Sequence, residues 1–485
     1  MTKDTEVDMK DVELNEMDPE KQPMTADAQV AVGEKNGSVK LKVPEDEVAF
    51  TGLSKEELMK VAGTPGWVRT RWMLLVLFWL GWVGMLAGAI VIIVQAPRCK
   101  PLPEMNWWND GPLYQIPDVD AFCLEQKLDD ISQLKVKGLL LGPLHTVQEN
   151  RPSTLNLKKI DPAVKHLKSV LKKANKKGIK VVLDLTPNYK GSNPWFIIAV
   201  FVVGTKSFLV FFQAAAEHWL EFGVSGFKLS GLNVASNSPH WSHLQTVVQG
   251  NGTEGTSKRL LMGVVEHESA ASVHWLLNTT GVALILSDLL SSKTGGERIK
   301  AMDHLHAQQR QVGWGLGAVQ QDQLSKQATG PALIRLYQLL LLTMPGTPVF
   351  TYGDEMGLEG NQKHPKMVWN VETEAEYAAT RKWFKGLSDL RGKERSLLHG
   401  DYYPLYASNS SLSFLRVWDQ SERYITAVNW GAEKQTLKLK KLQLPKKAKV
   451  KLSTDSKLEA ESNVNLDSME LEPGQAVLLQ FPYMG

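Results

Sequence analysis

An uncharged run of 23 apolar residues, Trp72 to Val94, follows a strongly hydrophilic N-terminal segment. As an α-helix the run would be about 35 Å long, which is enough to cross a bilayer core of ~30 Å. A secretory signal would lie at the extreme N-terminus, with a shorter apolar core and a small-residue cleavage site, and residues 1–30 have none of these features. The run therefore predicts a single membrane-spanning helix that acts as a signal anchor.

The orientation of this span is predicted mainly from glycosylation sequons. Three basic residues precede the span closely and two follow it, so the positive-inside rule gives only a small preference. Three Asn-X-Ser/Thr sequons follow the span, at Asn251, Asn278 and Asn409, and could carry glycans only on the lumenal side. A fourth sequon, at Asn36, precedes the span. The pattern predicts a cytoplasmic N-terminus and an extracellular C-terminal part.

Residues 1–71 form an acidic segment with 10 Lys+Arg, 15 Asp+Glu and a net charge of −5. The segment has almost no aromatic residues and cannot bury enough apolar surface to offset its chain entropy, which predicts disorder. One stretch, residues 45–61, carries apolar residues at helical spacing, with Ser54 as a candidate N-cap and Glu57 three residues later. It is either a short amphipathic helix against the membrane or a partner, or a helix that forms only transiently.

The chain has two cysteines, Cys99 and Cys123. Cys99 lies five residues beyond the span, in a short stretch flanked by prolines, where a thiol in an oxidising compartment could meet a second membrane protein. Four outcomes stay open from position alone: a bridge to another protein, a bond to Cys123, a homodimer bridge, or a free thiol.

Residues 106–380 alternate short apolar runs with helical patterns, which is typical of a parallel sheet with crossover helices. The candidate strands are uninterrupted and rich in Leu or β-branched residues, as strands buried on both faces should be. They are predicted at 138–142, 179–185, 223–229, 260–265, 282–286 and 347–351. Their number and spacing predict an eight-stranded (β/α)8 barrel of the TIM type.

Residues 381–485 change character to short alternating segments, at 413–418, 424–429, 436–442 and 476–481. These segments predict a C-terminal antiparallel β-sandwich. Lysines between 438 and 451 alternate partly with Leu and Val, which is typical of a solvated strand face and gives no indication of nucleic-acid binding. The predicted order is therefore a tail (1–71), a span (72–94), a neck (95–105), a barrel (106–380) and a sandwich (381–485).

Several motifs resemble the α-amylase-type glycoside hydrolases. They are Trp107-Trp108 with Tyr114-Gln-Ile116, Leu183-Asp-Leu-Thr-Pro-Asn188, Gly226-Phe-Lys-Leu229 and the stretch from Pro345 to Gly357. Together with the single span, the juxtamembrane cysteine and the stretch 393–400, they resemble the heavy subunits of the heteromeric amino-acid transporters. The resemblance implies a plasma-membrane heterodimer in which Cys99 is disulfide-linked to a multi-span light chain that performs the transport.

The same resemblance shows where catalytic residues would be expected, so these positions can be compared with the residues present in this chain. In the amylase pattern the nucleophilic Asp ends the fourth strand, two residues after an Arg, and these positions hold Ser230 and Lys228 here. A Ser without a general base is a weak nucleophile and offers no negative charge to an oxocarbenium-like transition state. The His that ends the family's third-strand motif is replaced by Tyr189. Asp184 and Asn188 remain, and Asp184 is expected to hold strand ends together.

The remaining acidic candidates are out of register with the family pattern. Glu266 and Glu268 follow the fifth strand, but the family acid directly follows the glycine matched by Gly263. The segment Trp314-Gly-Leu-Gly317 lacks the family's His-Asp pair, and Asp354 and Glu355 belong to a motif that supplies neither nucleophile nor acid. These replacements predict a pseudoenzyme with no cofactor and no metal.

Residues 197–212 are apolar except for Thr205, Lys206 and Ser207. A second span there would place Lys206 near its centre, at a cost of ~3 kcal/mol on insertion scales. It would also place neighbouring barrel strands on opposite sides of the membrane. We therefore expect either a buried segment or an erroneous stretch in the gene-derived sequence, rather than a span.

The predicted function is that of an ancillary subunit. The span would pack on a light-chain helix through Gly84 and Gly88, a small-xxx-small face, and Cys99 would add a covalent link. The ectodomain would support delivery of the pair to the surface. The alternatives are a membrane-anchored α-glucosidase and an adhesion receptor coupled to integrin β subunits, a role that the resemblance also implies.

Overall fold

The computed structural model describes residues 54–96, 100–119, 121–160, 166–191, 193–195, 208–237, 241–250, 258–291, 293–316, 323–358, 374–439 and 444–483. The chain divides into two compact units at Ala96/Pro97. The predicted tail, apart from its last residues, lies outside the described residues, as does most of the apolar stretch 197–212.

The N-terminal unit contains two helices. Helix α1, Lys55–Ala62, begins after Ser54, whose hydroxyl accepts from the Glu57 N–H while the Glu57 carboxylate accepts from the Ser54 N–H. This capping box satisfies two otherwise unpaired helix-end donors, as the spacing predicted. Helix α2, Pro65–Gln95, has 31 residues, all of them exposed, and is the one described helix that is long and apolar enough to cross a membrane. It starts seven residues before the predicted span, with a proline at its first position.

The second unit is built on a closed barrel of eight parallel strands, in the spatial order β1-β10-β9-β8-β7-β6-β5-β2. Two parallel strands can be joined only by a crossover connection, and the helices between successive strands of the chain provide these connections. The barrel strands are β1 (Leu113–Ile116), β2 (Gly138–Leu141), β5 (Lys180–Asp184), β6 (Gly226–Ser230), β7 (Leu260–Val265), β8 (Leu284–Ser287), β9 (Val312–Trp314) and β10 (Thr347–Thr351). A hairpin, β3 (His145–Gln148) and β4 (Arg151–Ile160), follows β2.

Helices surround the strands and bury their apolar faces against them. They are α3 (Ala121–Gln133), α4 (Leu167–Lys176), α5 (Phe208–Phe222), α6 (Leu232–Ala235), α7 (Trp241–Gln249), α8 (Ala270–Thr280), α9 (Gly295–Leu305), α10 (Pro331–Thr343), α11 (Ala375–Lys393) and α12 (Arg395–Leu398). In α4 the residues Leu167, Val170, Leu171 and Ala174 are buried, which is the i, i+3, i+4, i+7 pattern of an amphipathic helix. Helix α11 runs through the predicted boundary between residues 380 and 381.

The barrel interior and its outer layer form separate clusters. Side chains such as Leu113, Val182 and Val264 pack inside the barrel. Their neighbours in sequence, such as Tyr114, Leu183 and Val265, face the surrounding helices. This alternation follows the two-residue period of a strand, and it decides which polar residues point into the barrel.

The C-terminal part is an antiparallel β structure, as predicted. It has a six-stranded sheet in the order β11-β12-β13-β18-β15-β16 and a two-stranded ladder, β14-β17. The strands are β11 (Asp401–Ala407), β12 (Ser411–Val417), β13 (Arg423–Asn429), β14 (Gln435–Leu437), β15 (Lys447–Ser453), β16 (Asn463–Asn465), β17 (Met469–Leu471) and β18 (Ala476–Phe481). One face of the large sheet packs on the barrel helices through Phe414 and Leu478, and the other packs on the small ladder through Leu479 and Met469.

Candidate functional site

An open cavity of about 430 Å³ lies at the carboxyl ends of β5, β6 and β7. This face of a TIM-type barrel is where active sites of the fold are found. Its lining includes Thr186, Asn188, Tyr189, Asn233, Glu266 and Glu268. The sequence-predicted positions Tyr189, Glu266 and Glu268 are therefore brought together, while Lys228 and Ser230 lie beneath, among the buried residues of β6.

Lys228 is held inside the barrel by two polar partners. Phe227 and Leu229 face the helices, so the strand period turns Lys228 inward. Its Nζ lies 3.0 Å from Oδ2 of Asp184 and donates to Oε1 of Gln115 over 2.9 Å. The ammonium and the carboxylate are both almost fully buried. Each charge therefore compensates the desolvation of the other, and Gln115 links the pair to the opposite side of the barrel.

The second oxygen of Asp184 is also occupied. Oδ1 accepts from the Thr186 backbone N–H over 2.9 Å and from the Thr186 hydroxyl over 2.6 Å. The Thr186 hydroxyl oxygen in turn accepts from the backbone N–H of Ser230 over 3.0 Å. Asp184 therefore ties the ends of β5 and β6 together through both of its oxygens.

Ser230 ends β6 and is completely buried. Its carbonyl accepts from Trp195 Nε1 over 2.6 Å. Its hydroxyl has no hydrogen-bond partner among the described residues. An activated serine needs a general base within hydrogen-bond reach, and within the described part of the chain this hydroxyl does not have one.

Tyr189 lines the cavity and contacts His145 behind it. The Tyr189 hydroxyl donates to the His145 carbonyl over 3.1 Å, and the two rings meet edge to face with centroids 5.2 Å apart. His145 Nε2 lies 3.4 Å from the carbonyl of Pro187. Burial lowers the pKa of His145, against smaller opposing effects of the Pro187 carbonyl and Asp184. The ring is therefore neutral at pH 7.

Asn188 fastens the loop over the cavity. Its Nδ2 donates to Asn150 Oδ1 over 3.0 Å and to the Asn193 carbonyl over 2.7 Å, and its Oδ1 accepts from the Asn150 N–H over 3.1 Å. Asn188 is completely buried. A Cβ on Gly191 would lie 2.2 Å from Asn188 Nδ2, so the loop also requires a glycine there. These bonds fix the loop after β5 to the β3–β4 hairpin.

Glu266 and Glu268 lie on a turn after β7. Glu268 Oε1 lies 3.5 Å from Asn233 Nδ2. Between them, His267 adopts a left-handed φ of 61°, which is unusual for a residue with a Cβ. Its backbone N–H donates to both Asp288 carboxylate oxygens over 3.1 Å. Asp288 after β8 thus holds the turn that presents the two glutamates to the cavity.

Asp354 and Glu355 are buried in the turn that follows β10. Asp354 accepts from the backbone N–H groups of Leu324 and Thr351 over 2.6 and 2.7 Å. Glu355 accepts from the Tyr114 hydroxyl over 2.9 Å and from the Gly353 N–H over 3.0 Å. Burial raises the pKa of Asp354 to about 8 and also raises that of Glu355. Both side chains are occupied in holding loops.

The cavity lining includes none of the other predicted site residues that the structure describes. Trp314 is buried in β9 and donates from Nε1 to the Pro345 carbonyl over 2.7 Å, and Gly317 lies outside the described residues. Asn278 is exposed at the end of α8, and Asn409 is exposed between β11 and β12. A Cβ added at Gly84 or at Gly88 would have no atom within 4 Å, apart from the adjoining residues and backbone of its own helix. Cys99 and Asn251 lie outside the described residues, and Cys123 is half-buried in α3.

Sequence reasoning missed three contributors to the site, Gln115, His145 and Trp195. A signal was available for Gln115, since it is the one polar residue in the strand Leu-Tyr-Gln-Ile. His145 begins the β3–β4 hairpin and Trp195 lies in the loop after β5, where no periodicity indicates which side chains point to the barrel mouth. Among the residues that the structure describes, no group of three or more His, Cys, Asp or Glu side chains could hold a metal ion.

Comparisons with known proteins bear on both units. A profile of the solute carrier family 3 member 2 N-terminus matches residues 38–114. Over the full length of both chains, the sequence is 43% identical to the amino acid transporter heavy chain SLC3A2 of Mus musculus and 42% identical to that of Oryctolagus cuniculus. The crystal structure of a debranching enzyme from Nostoc punctiforme aligns with a TM-score of 0.60 at 19% identity, covering 79% of this chain and 100% of the enzyme. That likeness supports an α-amylase type of fold, and the full-length identity shows that the chain belongs to the family of amino acid transporter heavy chains SLC3A2.

Proposed function

We propose that this chain is the ancillary heavy subunit of a heteromeric amino-acid transporter. The observation that carries the proposal is the 43% identity to a transporter heavy chain over the whole of both chains, span and ectodomain together. Helix α2 is the one long apolar helix in the part of the chain that the structure describes, and it fits an anchor rather than a transport path, because a path needs several spans to enclose it. In this proposal a multi-span light chain moves the amino acid, and the heavy subunit stabilises it and supports its delivery to the plasma membrane.

The barrel mouth does not cleave glycosides in this proposal. Two carboxylates must face the sugar for hydrolysis in the amylase manner, one as nucleophile and one as acid. Where the fourth strand would end in the nucleophile, this chain has a buried Ser230 whose hydroxyl has no described partner. Lys228 neutralises the nearby Asp184 at 3.0 Å. These contacts support a pseudoenzyme in which the polar residues at the barrel mouth link the strand ends and perform no catalysis.

The contact with the light chain is proposed to involve the span and the neck. Gly84 and Gly88 leave open space on one face of α2, where a second helix could approach closely. Cys99 follows the span and would form the interchain disulfide, raising the effective concentration of two proteins that already touch. The ectodomain would be extracellular, with glycans on Asn251, Asn278 and Asn409, and the tail cytoplasmic.

The test compares the chain's two cysteines. The full-length chain and its Cys99→Ser and Cys123→Ser variants are expressed in cells, purified, and run on non-reducing gels. We expect a high-mass band in the parent and in Cys123→Ser, and its loss in Cys99→Ser while non-covalent co-purification persists. Mass spectrometry of the bridged peptide would name the light chain. A band unchanged by Cys99→Ser, or one that contains only this chain, would contradict the proposal.

A further inference from the structure

Trp275 is the most exposed large apolar side chain described in the second unit, with 58% of its surface accessible. It lies on helix α8, and a groove of about 390 Å³ beside it is lined by Asn233, Glu268, Ala271, Ser272, Trp275 and Leu276. Asn233 and Glu268 also line the barrel-mouth cavity, so the groove continues from the mouth to the indole. Covering this exposed indole would remove apolar surface from water, which is favourable.

Asn278 lies three residues after Trp275 on the same helix, and its side chain is exposed. Residues three apart on a helix are neighbours on its surface, with Cβ atoms about 5–6 Å apart. Helical side chains lean toward the N-terminus, so each one covers the turn before its own Cα. The Asn278 side chain therefore leans toward the turn that carries Trp275, and the indole leans toward Ala271 and Ser272, in agreement with the groove lining.

The Asn278 amide is held by its oxygen. Oδ1 accepts from Gln308 Nε2 over 2.6 Å, and Gln308 belongs to the turn after α9. The nitrogen is the amide atom that takes a sugar in an Asn-X-Thr sequon, and the sequon here is Asn278-Thr279-Thr280. The bond to Gln308 thus fixes the orientation of the attachment point and leaves its nitrogen for the glycan.

We infer that the first sugar ring of an N-glycan on Asn278 packs on the face of Trp275 and closes the outer end of this groove. Sugar rings have an apolar face of C–H groups that packs on an aromatic face, and hydroxyls around the edge that need polar partners. Glu268 and Asn233 in the groove supply such partners for later sugars. The inference rests on the proposed extracellular orientation, and it assigns the chain's own glycan, not a partner protein, as the cover of the indole.

The experiment measures the reactivity of Trp275 in the full-length chain purified from glycosylating cells. Hydroxyl-radical footprinting with peptide mass spectrometry gives the oxidation rate of Trp275 and the occupancy of each sequon. We expect Asn278 to carry a glycan and Trp275 to react several-fold more slowly than in Asn278→Gln. Asn409→Gln, the matched control at a distant exposed sequon, should leave Trp275 protected. Trimming all glycans to their first sugar should also leave it protected.

Thermal unfolding of the single and double variants provides an independent test. Asn278→Gln should lower the thermal midpoint more in the parent background than in a Trp275→Ala background, because coupled residues are not additive, whereas loss of the Gln308 bond is common to both backgrounds. Equal oxidation rates with and without the Asn278 glycan would overturn the inference, as would an unmodified Asn278 in a chain whose Asn409 carries a glycan. In both of those cases the proposed orientation stands. Absence of glycan from every sequon would overturn the orientation as well, whereas the Cys99 band tests the heavy-subunit function separately.

Discussion

The Lys228 ammonium lies 3.0 Å from the Asp184 carboxylate inside the barrel, and both side chains are almost inaccessible to water. Gln115 and Thr186 complete the polar contacts of the pair, so neither of its two charges is left to act on a ligand in the cavity. The pair is therefore a link between three barrel strands. Its contribution to stability is conditional, because each charge is tolerated only in the presence of the other.

Replacing Lys228 by Met should destabilise the ectodomain strongly. The Asp184 carboxylate would remain buried without its counter-charge, which typically costs about 3–5 kcal/mol. Urea unfolding followed by tryptophan fluorescence measures the change. The matched control is Lys393→Met, which removes an exposed pair with Asp389 and should cost less than ~1 kcal/mol. Equal losses in the two variants would show that the buried pair has no special role.

The purified full-length chain should release no glucose from α-linked oligosaccharides. Ser230 has no described base, and Glu266 and Glu268 follow β7 out of register with the position of the family acid. A bacterial α-amylase assayed in the same detergent serves as the positive control. Turnover by this chain that disappears in Glu266→Gln would contradict the pseudoenzyme proposal.

His145 should make a contribution to stability that is lost as the pH falls through about 6.5. Burial lowers the pKa of His145 in the folded state, with Asp184 raising it and Lys190 lowering it by smaller amounts. The unfolded chain, whose histidine pKa is about 6.5, then binds more protons below that pH, so acid favours unfolding. Between pH 7 and pH 5 the urea midpoint of the parent should fall relative to that of His145→Gln, because the buried carboxylic acids are common to both proteins. Parallel curves would argue against this assignment.

Enlarging the glycine face of α2 should weaken the non-covalent complex. Leucine at Gly84 and Gly88 would fill the space through which a neighbouring helix is proposed to approach. Co-purification of the light chain in a Cys99→Ser background measures the effect without the covalent link. Ala89→Leu places the same side chain on a different face of the helix and should leave the complex intact. Loss of the complex in both variants would point to a general defect of the span.

The sequence predicted most of the barrel because its strands are apolar without interruption. Strands β2, β5, β7 and β10 lie within or at one residue of their predicted limits. It did not predict β9, which has three residues, or assign a strand to Leu113–Ile116, where Gln115 interrupts the apolar run. Such short strands are recognised through their neighbours in the closed barrel rather than through a local pattern.

The site was predictable only in part. The motif comparison singled out Lys228, Ser230 and Tyr189, but a pattern along the chain does not give the register between strands, which places Asp184 opposite Lys228. The neighbours of Tyr189 also depend on loop geometry, since His145 reaches it from the β3–β4 hairpin. Periodicity carries no information about contacts of this kind.

The last strand of the chain, β18, lies at the centre of the six-stranded sheet, between β13 and β15. The sheet in turn covers barrel helices through residues such as Phe414 and Leu478. The polypeptide must therefore be synthesised through Phe481 before this sheet can form completely, and until then the barrel helices that it covers keep apolar surface exposed. A truncation before Ala476 would remove β18 and leave both β13 and β15 without the strand that joins them.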